Sequence, residues 1–107
     1  MEIRKSERHD TVILEVRGEI EVFSLPTLQK KAESCLGGAD QVILDLKDLT
    51  YIDSAGLGFL VNFNDRLQTR DQRLSLSNLQ PHVEKTFRIM HLDKILDIRK
   101  GSELLLG

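Results

Sequence analysis

Val42-Ile43-Leu44-Asp45-Leu46 leads shortly into Tyr51-Ile52-Asp53-Ser54-Ala55-Gly56-Leu57-Gly58. The first run is short and nearly all apolar, which suits a central strand covered on both faces. The second changes to helical spacing. With Leu57 at zero and about 100° per residue, Leu60, Val61, Asn64 and Leu67 fall on the Leu57 side as a core stripe. Gly58, Asn62 and Asp65 point away from it, Phe63 falls at its margin and Phe59 further round. The spacing predicts a helix from Ser54 to about Arg70. Ser54 is its expected N-cap, the hydroxyl accepting from a free backbone N–H two or three residues on.

The same alternation continues on both sides. Val12, Leu14 and Val16 share one face of a strand that Gly18 is expected to end, and a weaker strand is expected near Ile3. Ser24 can cap a helix that tolerates Pro26 in its first turn. In that helix Leu25, Leu28, Ala32, Cys35 and Leu36 recur at helical spacing, and Gly37-Gly38 stops it. Beyond Arg70, Leu74-Ser75-Leu76 alternates as a strand. Pro81 then suits the first position of a helix carrying Val83, Phe87 and Met90 as a stripe. Leu92, Ile95, Leu96 and Ile98 can form a short last strand or turn, and Leu104-Leu105-Leu106 is ambiguous. The order of elements predicts an α/β sandwich, with helices packed against a mixed sheet of four to five strands.

Composition bounds the function. The 107 residues suit one domain, and 40% hydrophobic with 30% charged residues suits an ordinary soluble core. The formal charge is −2 and no basic block stands out, which argues against nucleic acid. The single cysteine, Cys35, allows no internal disulfide or multi-cysteine metal site and reads as a small core hydrophobe. The charged N-terminus does not read as a signal peptide, and the apolar runs are too short to insert in a bilayer. A cytoplasmic protein is expected. His9, His82 and His91 are dispersed, and Asp45 and Asp48 lack a third ligand at any recognised spacing, so neither a catalytic group nor a metal site is expected.

The Ser54 segment holds the interest. Glycines inside a helix cost about 1 kcal/mol each relative to alanine, so Gly56 and Gly58 need a reason. Bare backbone that lets another surface approach closely is one. A nucleophile elbow is excluded because Ile52 stands where glycine is required, and a dinucleotide fingerprint because Val61 stands at the third glycine. On the residues alone, Ser54 is either a plain helix cap or a modifiable serine at a helix start. A helix N-terminus that takes a nucleotide or anion is a further reading.

Taken together, Val42–Leu46 and the Asp53-Ser54-Ala55-Gly56-Leu57-Gly58 run resemble the signature of the STAS domain. More narrowly, the chain is similar to the stand-alone anti-sigma factor antagonists of bacteria. Gly18-Glu19-Ile20-Glu21 resembles the family's early turn, and His91-Leu92-Asp93-Lys94-Ile95 its late leucine-lysine-isoleucine element. The resemblance implies a single STAS domain over residues 1–107 that is not itself an enzyme. Its unphosphorylated form would bind an anti-sigma factor, a serine kinase of the histidine-kinase-like ATPase fold. Phosphorylation at Ser54 would break that complex, and a PP2C-type phosphatase would reverse it. ATP and Mg²⁺ would belong to the kinase, leaving this chain without a cofactor. The implied partner surface comprises Glu21, Asp53, Ala55, Gly56, Gly58 and Asn62. Ala55 stands where many relatives have Ser or Thr, so Ser54 is the motif's only hydroxyl acceptor. Glu21 stands where Asp is usual. The alternative is a non-phosphorylated STAS subunit scaffolding a membrane transport system.

Overall fold

The computed structural model describes residues 1–100, so the expectation about Leu104–Leu106 lies outside the described residues. The chain runs β1 (Glu2–Arg8), β2 (Thr11–Ile20), α1 (Leu25–Glu33), β3 (Gln41–Asp45), β4 (Leu49–Ile52), α2 (Ser54–Gln68), β5 (Arg73–Ser77), α3 (Pro81–Ile89), a short 3-10 turn and β6 (Asp97–Arg99). The sheet order is β1-β2-β3-β5-β6, with β4 paired to the end of β2. Among the described residues only β1 and β2 are antiparallel, and every other pairing is parallel. The mixed α/β class therefore holds, with six strands among the described residues instead of four to five.

The additional strand is β4, and Gly18 is the reason it fits. Gly18 does not end β2. Its φ of +108° turns the strand where the register shifts between Gly18 and Glu19. Residues 11–15 pair with β3, and residues 18–20 pair with β4. Glycine suits that conformation because a Cβ is strained at positive φ. A parallel pair delivers its two following loops to the same edge. The loop after Ile20 and the start of α2 after Ile52 therefore lie side by side.

The alternation in β2 sorts as expected, with Val12, Leu14 and Val16 buried. They join Val42, Leu44, Leu74 and Leu76 in a core that receives Leu28 of α1, Leu60 and Phe63 of α2, and Val83 and Phe87 of α3. β3 departs from expectation. Among the described residues, α1, α2 and α3 all send their buried apolar side chains to this one cluster, and Ile43 stands outside it. Ile43 is 8% exposed on the opposite face, where it aligns with Ile13 and Ser75 of the flanking strands. β3 is thus covered by helices on one face only, and its neighbours' side chains shield Ile43 on the other.

Two helical expectations shift as well. In α2, Phe63 is buried and Val61 half-buried, the reverse of the predicted order. Gly56 is buried too, which moves the centre of the apolar arc from Leu57 to Leu60. Val61 then lies about 100° off that centre. In α3, Val83 and Phe87 are buried but Met90 is 55% exposed, because the helix ends at Ile89 and the chain turns away. His91 follows with φ +58°.

Cys35 packs into the core as expected, at 1% exposure. Burial pushes its thiol above the ordinary value, so less thiolate is present at neutral pH. The thiolate is the reactive form. Iodoacetamide should therefore modify Cys35 more slowly than a free thiol such as glutathione, and unfolding in urea should remove the difference, as read by mass spectrometry over time.

Candidate functional site

Asp53 joins the two loops at the β2–β4 edge. Its backbone N–H donates to Ile20 O at 3.0 Å, extending the strand pairing by one step. Its backbone is extended, with φ −96° and ψ −179°, and its side chain reaches in two directions. Oδ1 accepts from the Gly56 N–H at 2.9 Å, and Oδ2 accepts from the Val22 N–H at 3.0 Å. Asp53, not Ser54, is therefore the N-cap of α2. A carboxylate is the stronger acceptor and suits the positive end of the helix.

That exchange frees Ser54. It becomes the first residue of α2, exposed, and its hydroxyl has no hydrogen-bond partner among the described residues. At about 100° per residue, Gly58, Asn62 and Ala55 follow within about 100° of Ser54. All three are exposed. The structure thus brings Ser54, Ala55, Gly58 and Asn62 onto one outward face of α2.

Gly56 does not belong to that face. A Cβ there would stand 2.7 Å from Ile20 Cγ2 and 2.7 Å from Ile52 Cγ1. Its missing side chain lets α2 sit down on the β2–β4 pair, so the partner-surface role expected for it is replaced by packing. Asp53 precedes Ser54 in the chain and Glu21 lies in the loop that Asp53 holds, and the carboxylates of both are engaged. Glu21 Oε2 accepts from the Phe23 N–H at 3.0 Å, and Oε1 from the Ser24 N–H at 2.8 Å.

Ser24 differs from expectation as well. It makes no side-chain cap bond to α1. Instead its Oγ donates to Glu19 O at 2.7 Å and accepts from the Glu21 N–H at 3.0 Å. This loop also exposes Val22 and Phe23, which belong to no expected element. The available signal was two apolar residues inside a turn, outside any helical or strand period. On the far side of the α2 face, Arg66 makes a two-pronged ion pair with Glu33 of α1, at 2.9 and 3.3 Å. The Arg66 guanidinium holds the Glu33 carboxyl below its ordinary range. The pair is exposed and contributes orientation more than stability.

Other features lie elsewhere. A cleft of about 400 Å³ is lined by Glu2, Arg4, Glu15, Arg17, Asp45 and Lys47 among others, and shares no residue with the Ser54 face. His82 Nε2 lies 2.7 Å from Thr50 O and ties α3 to β4. Among the described residues, no group of three or more His, Cys, Asp or Glu side chains could hold a metal ion. Nor, among them, is any helix long and apolar enough to cross a membrane.

The fold and this edge define a mixed-sheet α/β module that presents a helix-initial serine where a strand meets a helix. The STAS domain model matches residues 2–104, and the chain belongs to that family. It is 31% identical over 97 residues to an anti-sigma-B factor antagonist of Bacillus subtilis (strain 168), covering 91% of this chain and 89% of that one. Its fold is similar to that of a candidate anti-sigma factor antagonist from Thermotoga maritima (TM-score 0.87, 24% identity, 96% of this chain and 91% of that one). It is also similar to the Bacillus cell fate determinant SpoIIAA in the phosphorylated form (TM-score 0.74, 20% identity, 97% and 96%).

The two glycines of the motif separate in a stability test. Gly56→Ala should destabilise by about 1–3 kcal/mol, because the new methyl overpacks against Ile20 and Ile52. Gly58→Ala meets no atom within 4 Å and should stabilise by about 0.5–1 kcal/mol. Urea unfolding of both variants gives the comparison.

Proposed function

We propose that the chain is an anti-sigma factor antagonist controlled by phosphorylation of Ser54. The observation that carries this reading is the unengaged Ser54 hydroxyl at an exposed helix start, with the capping duty held by Asp53. The name of the Bacillus subtilis relative, aligned over 91% of this chain, favours antagonism over a transport scaffold. The unphosphorylated form binds an anti-sigma factor that is a serine kinase of the histidine-kinase-like ATPase fold. ATP and Mg²⁺ enter with that kinase, and a PP2C-type phosphatase resets the serine. The chain itself acts as a binding partner and substrate, not as an enzyme.

The physics of the switch lies in where the charge arrives. A phosphate adds about −1.5 to −2 charge at pH 7. The N-terminus of α2 favours an anion there, so the fold accommodates it. A partner closing over Ser54 meets that charge beside the Asp53 and Glu21 carboxylates. Each 1.4 kcal/mol of repulsion or desolvation lowers affinity about tenfold.

The test is a pull-down from native extract with and without ATP, followed by mass spectrometry at Ser54. The wild type should capture a kinase, lose it on ATP addition and gain phosphate at Ser54. Ser54→Ala should capture the same kinase and keep it. Ser54→Asp should bind at least about tenfold more weakly. A folded Ser54→Ala variant that captures no kinase would overturn the switch.

A further inference from the structure

Phe23 is 89% exposed and its neighbour Val22 is 57% exposed. A single apolar side chain in water is ordinary. The backbone beneath this pair is not, because side chains hold four consecutive N–H groups. Glu21 N–H donates to Ser24 Oγ, Val22 N–H to Asp53 Oδ2, Phe23 N–H to Glu21 Oε2 and Ser24 N–H to Glu21 Oε1, at 2.8–3.0 Å. Ser24 is itself fixed through its bond to Glu19 O. Loop amides at a surface can bond to water, so three side chains devoted to them hold a shape that solvation alone does not require.

We infer that Phe23 is a preorganised anchor that inserts into an apolar pocket of the protein that receives Ser54, with Ser24 as the residue that positions it. This inference rests on the reading of Ser54 given above. Continuity with the Ser54 face comes from Asp53, whose one carboxylate grips both Val22 N–H and Gly56 N–H. Charge indicates the rest of the partner's chemistry. The Glu21 and Asp53 carboxylates both lie on the loop, so the matching pocket has a rim of Lys or Arg. The same carboxylates disfavour an anionic lipid surface. With the backbone already held, docking has only the rotamers of the Phe23 side chain left to order, which favours an anchor.

The experiment uses the kinase captured by the wild-type chain, purified and titrated with Phe23→Ala, Phe23→Leu, Ser24→Ala and the Phe23→Ala/Ser24→Ala double variant. Phe23→Ala should bind at least about 30-fold more weakly, with Phe23→Leu between it and wild type. Its Ser54 phosphorylation should show a raised KM and an unchanged kcat, because Phe23 does not touch the hydroxyl. Ser24→Ala should weaken wild type but add nothing once Phe23 is gone, a result that general destabilisation would not give. The urea midpoint of Phe23→Ala should match wild type, since the side chain is exposed. Binding of Phe23→Ala within about threefold of wild type overturns the anchor, while continued Ser54 phosphorylation would leave the switch standing. Absence of any captured kinase removes both. Self-association by sedimentation, or binding to phosphatidylserine vesicles, that disappears in Phe23→Ala would assign Phe23 to a second copy or to lipid and overturn the inference.

Discussion

The Asp53 carboxylate is the constraint on which the working edge of this molecule depends. One oxygen closes the first turn of α2 through Gly56, and the other holds the loop after β2 through Val22. The second bond needs β2 and β4 to run parallel and end together. That in turn requires the turn at Gly18 that sends the last residues of β2 from β3 to β4. Gly56 completes the arrangement, because α2 can settle on Ile20 and Ile52 only where no side chain intervenes. An acidic side chain, a positive-φ glycine and a packing glycine thus combine to fix the position of a fourth residue, Ser54, that holds nothing together.

The sequence made the body of the fold legible and the edge only partly so. Strands β2, β3 and β5 were readable because their apolar residues repeat with a period of two or run continuously. The faces of α2 were readable to within about 60°. The error came from centring the arc on Leu57, which exchanged Phe63 and Val61. β4 carries no strand signal because Leu49–Ile52 buries only its two end residues and so does not alternate. Its pairing depends on a register shift in a distant strand, a long-range fact that local periodicity cannot carry.

At the site, residue types were easier to foresee than their duties. Ser54 and Asp53 are both good capping residues, and propensity alone does not choose between adjacent candidates. The choice falls to Asp53 because its extended backbone aims the carboxylate at Gly56 while Val22 supplies a second donor. Gly58 and Asn62 were placed outward correctly, since that follows from helical spacing alone. Gly56 entered the expected partner surface through the family resemblance alone, and its burial depends on Ile20, which lies far away in sequence. Ser24 was also misjudged: its hydroxyl serves the loop ahead of α1 and not the first turn of the helix.

The loop from Glu21 to Ser24 has one more consequence. Every bond that shapes it involves backbone groups or the side chains of Glu21, Ser24 and Asp53, and none involves the side chains of Val22 or Phe23. Those two positions can therefore change identity while the loop keeps its shape. A genome that duplicated this gene could diversify the pair at residues 22 and 23 and keep sister circuits from cross-talk. The scaffold beneath would not have to evolve again.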